Sequence, residues 1–542
     1  MASGTQCSKP LFLIFFLVLL SIWSLCNGSS ARTLGSTPTD ECEIKDNRFY
    51  TVTVNGSASI ARVSDDFICV TMDYLRCNLT FGPCFGVLTD TLHLDLTNAI
   101  LINAVRALSP LVRAGGTLED ILIYDIHNDI NPCPDGNICL TMNRWDELQA
   151  FLNRTHSRML FGLNAMVGRR QNHSAPWNSS NSREFIEYTV NQGYEISGWE
   201  FGNELVDTAF APNFSPSEYA QNVKDLRCII DEIYSKHPDL QKPLLIAPDA
   251  NFNATWFQEF IQESGPGVVE KLSHHLYTLG RGNNTNIERL VFNGTYLNKR
   301  INTFRTLQDI IKNHGPWAKA MLGEAGGAYN GGSPITSSTF VNSFWYLDEL
   351  GMAATFDTDI YCRQSLIQGN YGLLNMSSFL PNPDYFCALL WKQVMDRTVL
   401  SIEKSNKTDT SLRVYAHCTK HQLDSITLLL INLSNTTRYF VNTNVSLVNP
   451  TSESMRNQKQ PNDVKLDSKQ PRYEYHLTSP NGDPLTRTIL LNGTPLKLQA
   501  NNRIPALIPI IKYSSEPISV LPISIVFVTL FNVDVPACEA VI

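Results

Sequence analysis

The chain has 542 residues, a hydrophobic share of 43% and a formal net charge of -8. That length excludes a single small domain and fits one large domain with a second beside it, with enough apolar content to fold without relying on disulfides. The negative balance, with no basic tract or basic helix face, argues against nucleic acid or an anionic membrane surface as partner.

At the N-terminus, Lys9 precedes the apolar run "LFLIFFLVLLSIWSL", and the small residues "CNGSSA" follow. Charge, apolar stretch and small residues in that order predict a cleaved secretory signal over residues 1–27. The run is short for a membrane anchor, which needs roughly 20 apolar residues, so the mature chain is expected to have no integral membrane span. Asn55, Asn78, Asn153, Asn172, Asn178, Asn253, Asn283, Asn293, Asn375, Asn406, Asn432, Asn435, Asn444 and Asn492 all stand in N-x-S/T sequons. Such density on a signal-bearing chain predicts N-glycosylation. Eleven cysteines remain beyond Cys7 and Cys26, an odd number that leaves at least one free thiol in a monomer. The close pairs Cys77/Cys84 and Cys133/Cys139 suit loop staples, whereas Cys69, inside an apolar run, reads as a small buried hydrophobe. There is no C-x-x-C and no H-E-x-x-H, so neither a metal site nor a cofactor is expected.

The segment 43–66, "RFYTVTVNGSASIARVS" within it, is strand-like and is expected to join a distant β domain. Over 67–400, apolar runs ending in polar residues alternate with helical patterns. "FICVTMD" precedes "NAILINAVRALSPLV", "RMLFGLNA" precedes "SREFIEYTVNQGY", and "EISGWEFGNE" precedes "SPSEYAQNVKDLRCIIDEIYSKH". "PLLIAPDA", "VVEKLSHHLY", "AKAMLGEAGG" and "AATFDTDIYCR" continue the series. Repeated β-then-α units predict an α/β fold, a (β/α)8 TIM barrel. Over 401–542 the helical patterns stop, and short runs such as "SITLLLINLS" and "RYEYHLTS" predict a C-terminal all-β sandwich domain. Asp534 and Glu539 beyond "PISIVFVTLF" make that run a closing strand rather than a lipid-anchor signal.

Functional residues of such a barrel gather at the C-terminal ends of its strands. Those ends carry Asp73, Arg113 with the "GGT" turn, Asn164, Asn203 and Glu204, His275 and Tyr277, Glu324, and Gln364 with Tyr371. A single strand-end acid is more often a loop starter or helix cap than a catalyst. Two glutamates on different strands, however, supply what glycoside hydrolysis needs: an acid/base and a nucleophile. Asn203 can bond a sugar hydroxyl, and His275 and Tyr277 can orient the carboxylates. Arg113 reads equally as a structural ion-pair partner or a ligand. Period-two alternation is expected to turn Glu200 toward the helix layer or a neighbouring strand.

At "GWEFGNEL" and "LGEAGGAYNGG" the chain resembles the heparanase-like family of clan A glycoside hydrolases. "FICVTMD", "LDLTNAILINA", "VRAGGTLED", "SFWYLDELGMA", "YCRQSLIQGNYGLLN" and "FLPNPDY" extend the likeness over nearly the whole mature chain. They look like plant heparanase-like proteins, and among these most like secreted plant β-glucuronidases that hydrolyse flavonoid glucuronides such as baicalin. The resemblance implies Glu204 as acid/base and Glu324 as nucleophile of a retaining exo-β-glucuronidase, secreted to the apoplast or cell wall or sent to a vacuole. It implies that Asn330, Gly331 and Tyr371 hold the sugar carboxylate. Asp73, Thr117, Asn203 and Tyr277 would line the glucuronate subsite, and Cys418 and Cys538 would be bridged. Only about 35 residues separate "ILIYD" from "FGLNA", too few for the excised insert of mammalian heparanase, so an uncut chain is expected. The alternatives are an endo-acting heparanase-like hydrolase, a trimmer of arabinogalactan or other wall glycans, and a non-catalytic carbohydrate-binding barrel. The paired glutamates are expected to raise one another's pKa and give an acidic optimum, roughly pH 4–6.5.

Overall fold

A computed structural model describes residues 44–74, 90–134, 137–169, 175–206, 213–447, 463–464 and 469–539. The expected signal, Asn78, Asn172, Cys77 and Cys84 lie outside them. Eight parallel strands close into a barrel: β1 (Ile68–Met72), β2 (Leu111–Ala114), β3 (Arg158–Leu163), β4 (Gly198–Phe201), β5 (Leu244–Asn251), β6 (Lys271–His275), β7 (Lys319–Ala325) and β8 (Thr358–Arg363). β8 pairs with β1, which completes the ring. The strands are buried almost throughout, as expected where helices cover one face and a packed interior fills the other. Leu111, Leu160, Ile246, Met321, Ile360, Cys69 and Cys362 form that interior. Cys69 is not a lone hydrophobe. It stands beside Cys362 in the β1–β8 pair and is bonded to it, with 4.1 Å between the Cα atoms.

A helix of about ten residues or more follows each strand: α1 (Ala99–Leu108), α2 (Met142–Thr155), α3 (Ser180–Asn191), α4 (Pro216–Tyr234), α5 (Ala254–Ser264), α6 (Ile301–His314), α7 (Phe340–Thr355) and α8 (Pro383–Val394). Local chemistry sets their starts. The Asn98 side chain accepts from two N–H groups of α1, and Ser215 and Glu218 form a reciprocal capping box on α4 ahead of Pro216.

α8 runs directly into strand Met395–Lys404, where the second architecture begins. The strand Asp46–Arg62 lies between it, antiparallel, and Thr437–Ser446, parallel, so the N-terminal segment joins the C-terminal sheet. The strands are hydrogen-bonded into one continuous twelve-stranded sheet, and strands that are not neighbours in it face one another across a shared core. Alternation explains how it holds two cores. Leu428, Leu430, Val526 and Val528 pack with Val52, Val54 and Tyr439. Leu429, Ile431, Ile525 and Phe527, their neighbours in the chain, pack into the large cluster that covers the barrel. "PISIVFVTLF" supplies the fully buried strand Ser524–Leu530. Among the described residues no helix is long and apolar enough to cross a membrane.

Disulfides join Cys133 to Cys139 and Cys418 to Cys538, while Cys228 and Cys387 are free. Among the sequons, Asn153, Asn178, Asn283, Asn293, Asn406 and Asn435 are exposed. Asn432 is a correction: it is fully buried, and its amide donates to the carbonyls of Thr437 and Leu521 at 2.7 and 2.8 Å. That nitrogen cannot carry a glycan in this fold.

Candidate active site

β4 ends at Phe201, and the chain leaves it through Gly202 (φ 64°), Asn203 and Glu204 (φ 54°). A non-glycine residue in the left-handed region costs of order 1–3 kcal/mol and persists where its surroundings hold it. Here the Glu204 N–H donates to the Asp249 carbonyl at 3.0 Å. Asp249, at the end of β5, also has positive φ (50°). The two turns brace each other and aim Glu204 toward His275 at the end of β6.

His275 is buried between two carboxylates. Its Nδ1 lies 2.8 Å from Glu204 Oε1 and its Nε2 2.8 Å from Asp249 Oδ2. Only an imidazolium can donate from both nitrogens. Burial disfavours that charge, but Asp249, Glu324 and the two hydrogen bonds outweigh it and hold His275 well above its ordinary value. The converse applies to Glu204: burial raises it, yet His275 brings it below the usual carboxylate range. Beside the neighbouring glutamate, His275 therefore acts on the titration of the acid/base candidate, to which it is hydrogen-bonded.

Glu324 ends β7. One of its oxygens accepts from the Tyr277 hydroxyl and the other from Arg113 Nη1 at 3.2 Å. Glu204, His275 and Glu324 each offer an atom within 4.8 Å of the others. The Glu204 side chain is 31% exposed and that of Glu324 11%, so both reach solvent.

Beneath the pair sits Arg113, fully buried, the hub of the polar floor. Its guanidinium donates to Glu200 (2.8–3.1 Å), Asn203 Oδ1 (2.9 Å) and Asp249 Oδ2 (2.5 Å) as well as to Glu324. Glu200 therefore faces the barrel interior, not the helix layer. Alternation counted back from Asn203 fails because Gly202 has already ended the strand. Burial, and the charge of Asp249 across the same guanidinium, raise Glu200 to about 8 despite Arg113. Burial opposes the ionisation of Asp249 too, but Arg113 and His275 hold it far below its ordinary value. Glu119 and Asp120, also buried, are pushed well up.

Asp73, at the end of β1, accepts from Gln364 Nε2 at 3.0 Å; burial and the charge of Glu324 raise it to about 7. A Cβ on Gly116 would come 2.0 Å from its carboxylate, so the "GG" turn is what leaves room for Asp73. Tyr371 is buried near Glu324. A Cβ on Gly326 would lie 2.6 Å from the Tyr277 ring and 3.1 Å from that of Tyr371, so this glycine lets both tyrosines close on the nucleophile strand. Asn330 (φ 59°) and Gly331 (φ 79°) form a turn whose Gly331 carbonyl accepts from the Asn370 N–H at 2.6 Å, next to Tyr371. Thr117 is exposed on the loop after β2. The structure thus joins Glu204, Glu324, His275, Tyr277, Asn203 and Asp73 around Arg113, sets Asn330, Gly331 and Tyr371 along one edge, and leaves Thr117 at the rim. Asp249, near the end of "PLLIAPDAN", fits the same strand-end pattern but was not among the expected site residues; nor were Glu119 and Asp120 in "VRAGGTLED".

Residues 50–351 match the N-terminal domain of glycosyl hydrolase family 79. The chain belongs to glycosyl hydrolase family 79. That match contains both Glu204 and Glu324, and membership makes the protein a glycoside hydrolase. Heparanase-like protein 3 of Arabidopsis thaliana is 41% identical over 90% of this chain and 94% of its own. Baicalin-beta-D-glucuronidase of Scutellaria baicalensis is 35% identical over 89% and 92%. Among solved structures, a 4-O-alpha-L-rhamnosyl-beta-D-glucuronidase from Fusarium oxysporum covers 89% of this chain and all of its own, with a TM-score of 0.60 at 14% identity; it shares the fold.

Proposed function

We infer that this family 79 enzyme is a secreted, retaining exo-β-glucuronidase that removes terminal β-linked glucuronic acid from small aglycones or wall glycans. The observation that carries this is the approach of Glu204 and Glu324 to within 4.8 Å. Retaining glycosidases keep their carboxyls about 5–5.5 Å apart, whereas inverting ones need about 6.5–9.5 Å to admit a water. In the first step Glu324 attacks the anomeric carbon, the bond to the aglycone oxygen breaks, and Glu204 gives that oxygen a proton. In the second, Glu204 takes a proton from water, the water oxygen attacks the same carbon, and the ester to Glu324 breaks with configuration restored. Arg113 and Tyr277 keep Glu324 aligned, and His275 supplies the proton that Glu204 needs. The likeness to the baicalin-beta-D-glucuronidase of Scutellaria baicalensis supports the sugar, and the N-terminal apolar run with dense sequons supports secretion. Rates on p-nitrophenyl glucuronide and p-nitrophenyl glucoside, compared side by side, test the reading; equal rates would refute it.

The buried Tyr371 beside the Asn330–Gly331 turn suits a carboxylate clamp. In Tyr371→Phe, the preference for glucuronide over glucoside should shrink by the value of one buried hydrogen bond, about 1–3 kcal/mol in the ratio of kcat/KM values.

The Glu204–His275 pair fixes the sign of the pH dependence. His275, raised, contributes stability that is complete below its ordinary value near about 6.5 and is lost as the pH climbs through the folded value. Glu204, depressed, contributes above about 4.3, and that part is lost as the pH falls through its folded value. Between those limits the pair holds the proton that catalysis uses. His275→Gln should therefore move the alkaline limb of the kcat/KM profile to lower pH. An unmoved limb would assign it to another group.

A further inference from the structure

The sequon Asn283-Asn284-Thr285 follows the short strand Gly280–Arg281, which pairs in parallel with Ala328–Tyr329. That pairing brings the sequon's turn against the clamp. The Gly282 N–H donates to the Tyr329 carbonyl at 2.9 Å, and a Cβ on Gly282 would lie 2.3 Å from the Gly332 carbonyl oxygen. Asn283 and Thr285 line an open cleft together with Asn330, Gly332 and Asn370. Asn284 turns inward to the Leu279 carbonyl at 3.1 Å, while Asn283, the glycan acceptor, is exposed.

The shape of the sugar gives this position its meaning. In a glucuronate ring C1 and C4 lie at opposite ends, and the carboxylate-bearing C5 adjoins C4. With C1 at Glu324 and the carboxylate on Tyr371 and the Asn330–Gly331 turn, the C4 edge faces the cleft. A terminal glucuronate presents only a hydroxyl there. A glucuronate inside a chain, substituted on O4, would have to run its next sugar out over the cleft.

We propose that an N-linked glycan on Asn283 occupies this cleft and restricts the enzyme to terminal glucuronates. An N-glycan is bulky and hydrophilic, and here its attachment point borders the route an internal substrate must take. The proposal rests on the β-glucuronidase reading and explains its exo action.

The test uses the full chain secreted from a eukaryotic host. Glycopeptide mass spectrometry should find Asn283 occupied. Asn283→Gln and Thr285→Ala both abolish the acceptor, the second with Asn283 intact. Two probes are compared: p-nitrophenyl glucuronide, and an unsulfated polysaccharide whose glucuronates carry N-acetylglucosamine on O4. Both variants, and wild type trimmed by an endoglycosidase, should keep the first rate within about twofold and gain roughly tenfold in new reducing ends from the second. An unoccupied Asn283, or unchanged polymer cleavage in both variants, overturns the proposal. A wild-type enzyme inactive on p-nitrophenyl glucuronide overturns the underlying reading instead.

Discussion

Glu324→Gln is expected to lose turnover of every glucuronide by a factor on the order of 10^4 or more, the scale seen when a covalent nucleophile is removed. The amide keeps the shape and can still meet Tyr277 and Arg113, so substrate binding and folding should survive. That separates the loss from misfolding: binding of glucuronic acid by calorimetry and the thermal midpoint should stay near wild type. Glu204→Gln should behave differently. Its defect should be least on p-nitrophenyl glucuronide, whose leaving group needs little protonation, and greatest on poor leaving groups. A Glu204→Gln enzyme equally impaired on both would remove Glu204 from the acid's role.

The second large effect is expected at Arg113. This one guanidinium bonds Glu200, Glu324, Asp249 and Asn203 inside the barrel. Removing one partner from a buried ionic cluster typically costs about 3–5 kcal/mol, because the opposite charges remain buried and uncompensated. Arg113→Gln should lower stability by that order in denaturant titration. The carboxylates should then neutralise by taking up protons, so the loss should be smaller at pH 5 than at pH 8. Activity should fall with it, since Glu324 loses one of its two donors. Wild-type stability in Arg113→Gln would mean that the cluster is held by other contacts.

The barrel was legible because its signal is repetitive: each apolar strand is short, buried on both faces and followed by a helical pattern. The two glutamates were legible because acids are out of place at the ends of such strands. What the pattern concealed depends on closure in space. Cys69 meets Cys362 only because β1 and β8 are neighbours in the closed ring, 293 residues apart in sequence. Glu200 pointed the wrong way on paper because alternation was counted through Gly202, whose φ of 64° breaks it. Asp249 carried the same strand-end signal as Glu324 and is recognised only in space, through Arg113 and through His275, which it shares with Glu204. Asn432 satisfies a sequon in one dimension and a buried hydrogen-bond network in three. That the sheet of the β domain builds a separate core on each of its faces is a distinction that strand patterns do not encode.

The central claim is that Glu324 forms a bond to the sugar. An activated 2-deoxy-2-fluoro-β-glucuronide slows both steps but departs fast enough in the first for the glycosyl ester to accumulate. Mass spectrometry of the inactivated, digested enzyme should find one fluoro-glucuronyl group, on the peptide containing Glu324 and on that residue. A label on Glu204, Glu200 or Asp73, or turnover with no covalent adduct, would contradict the two-glutamate mechanism.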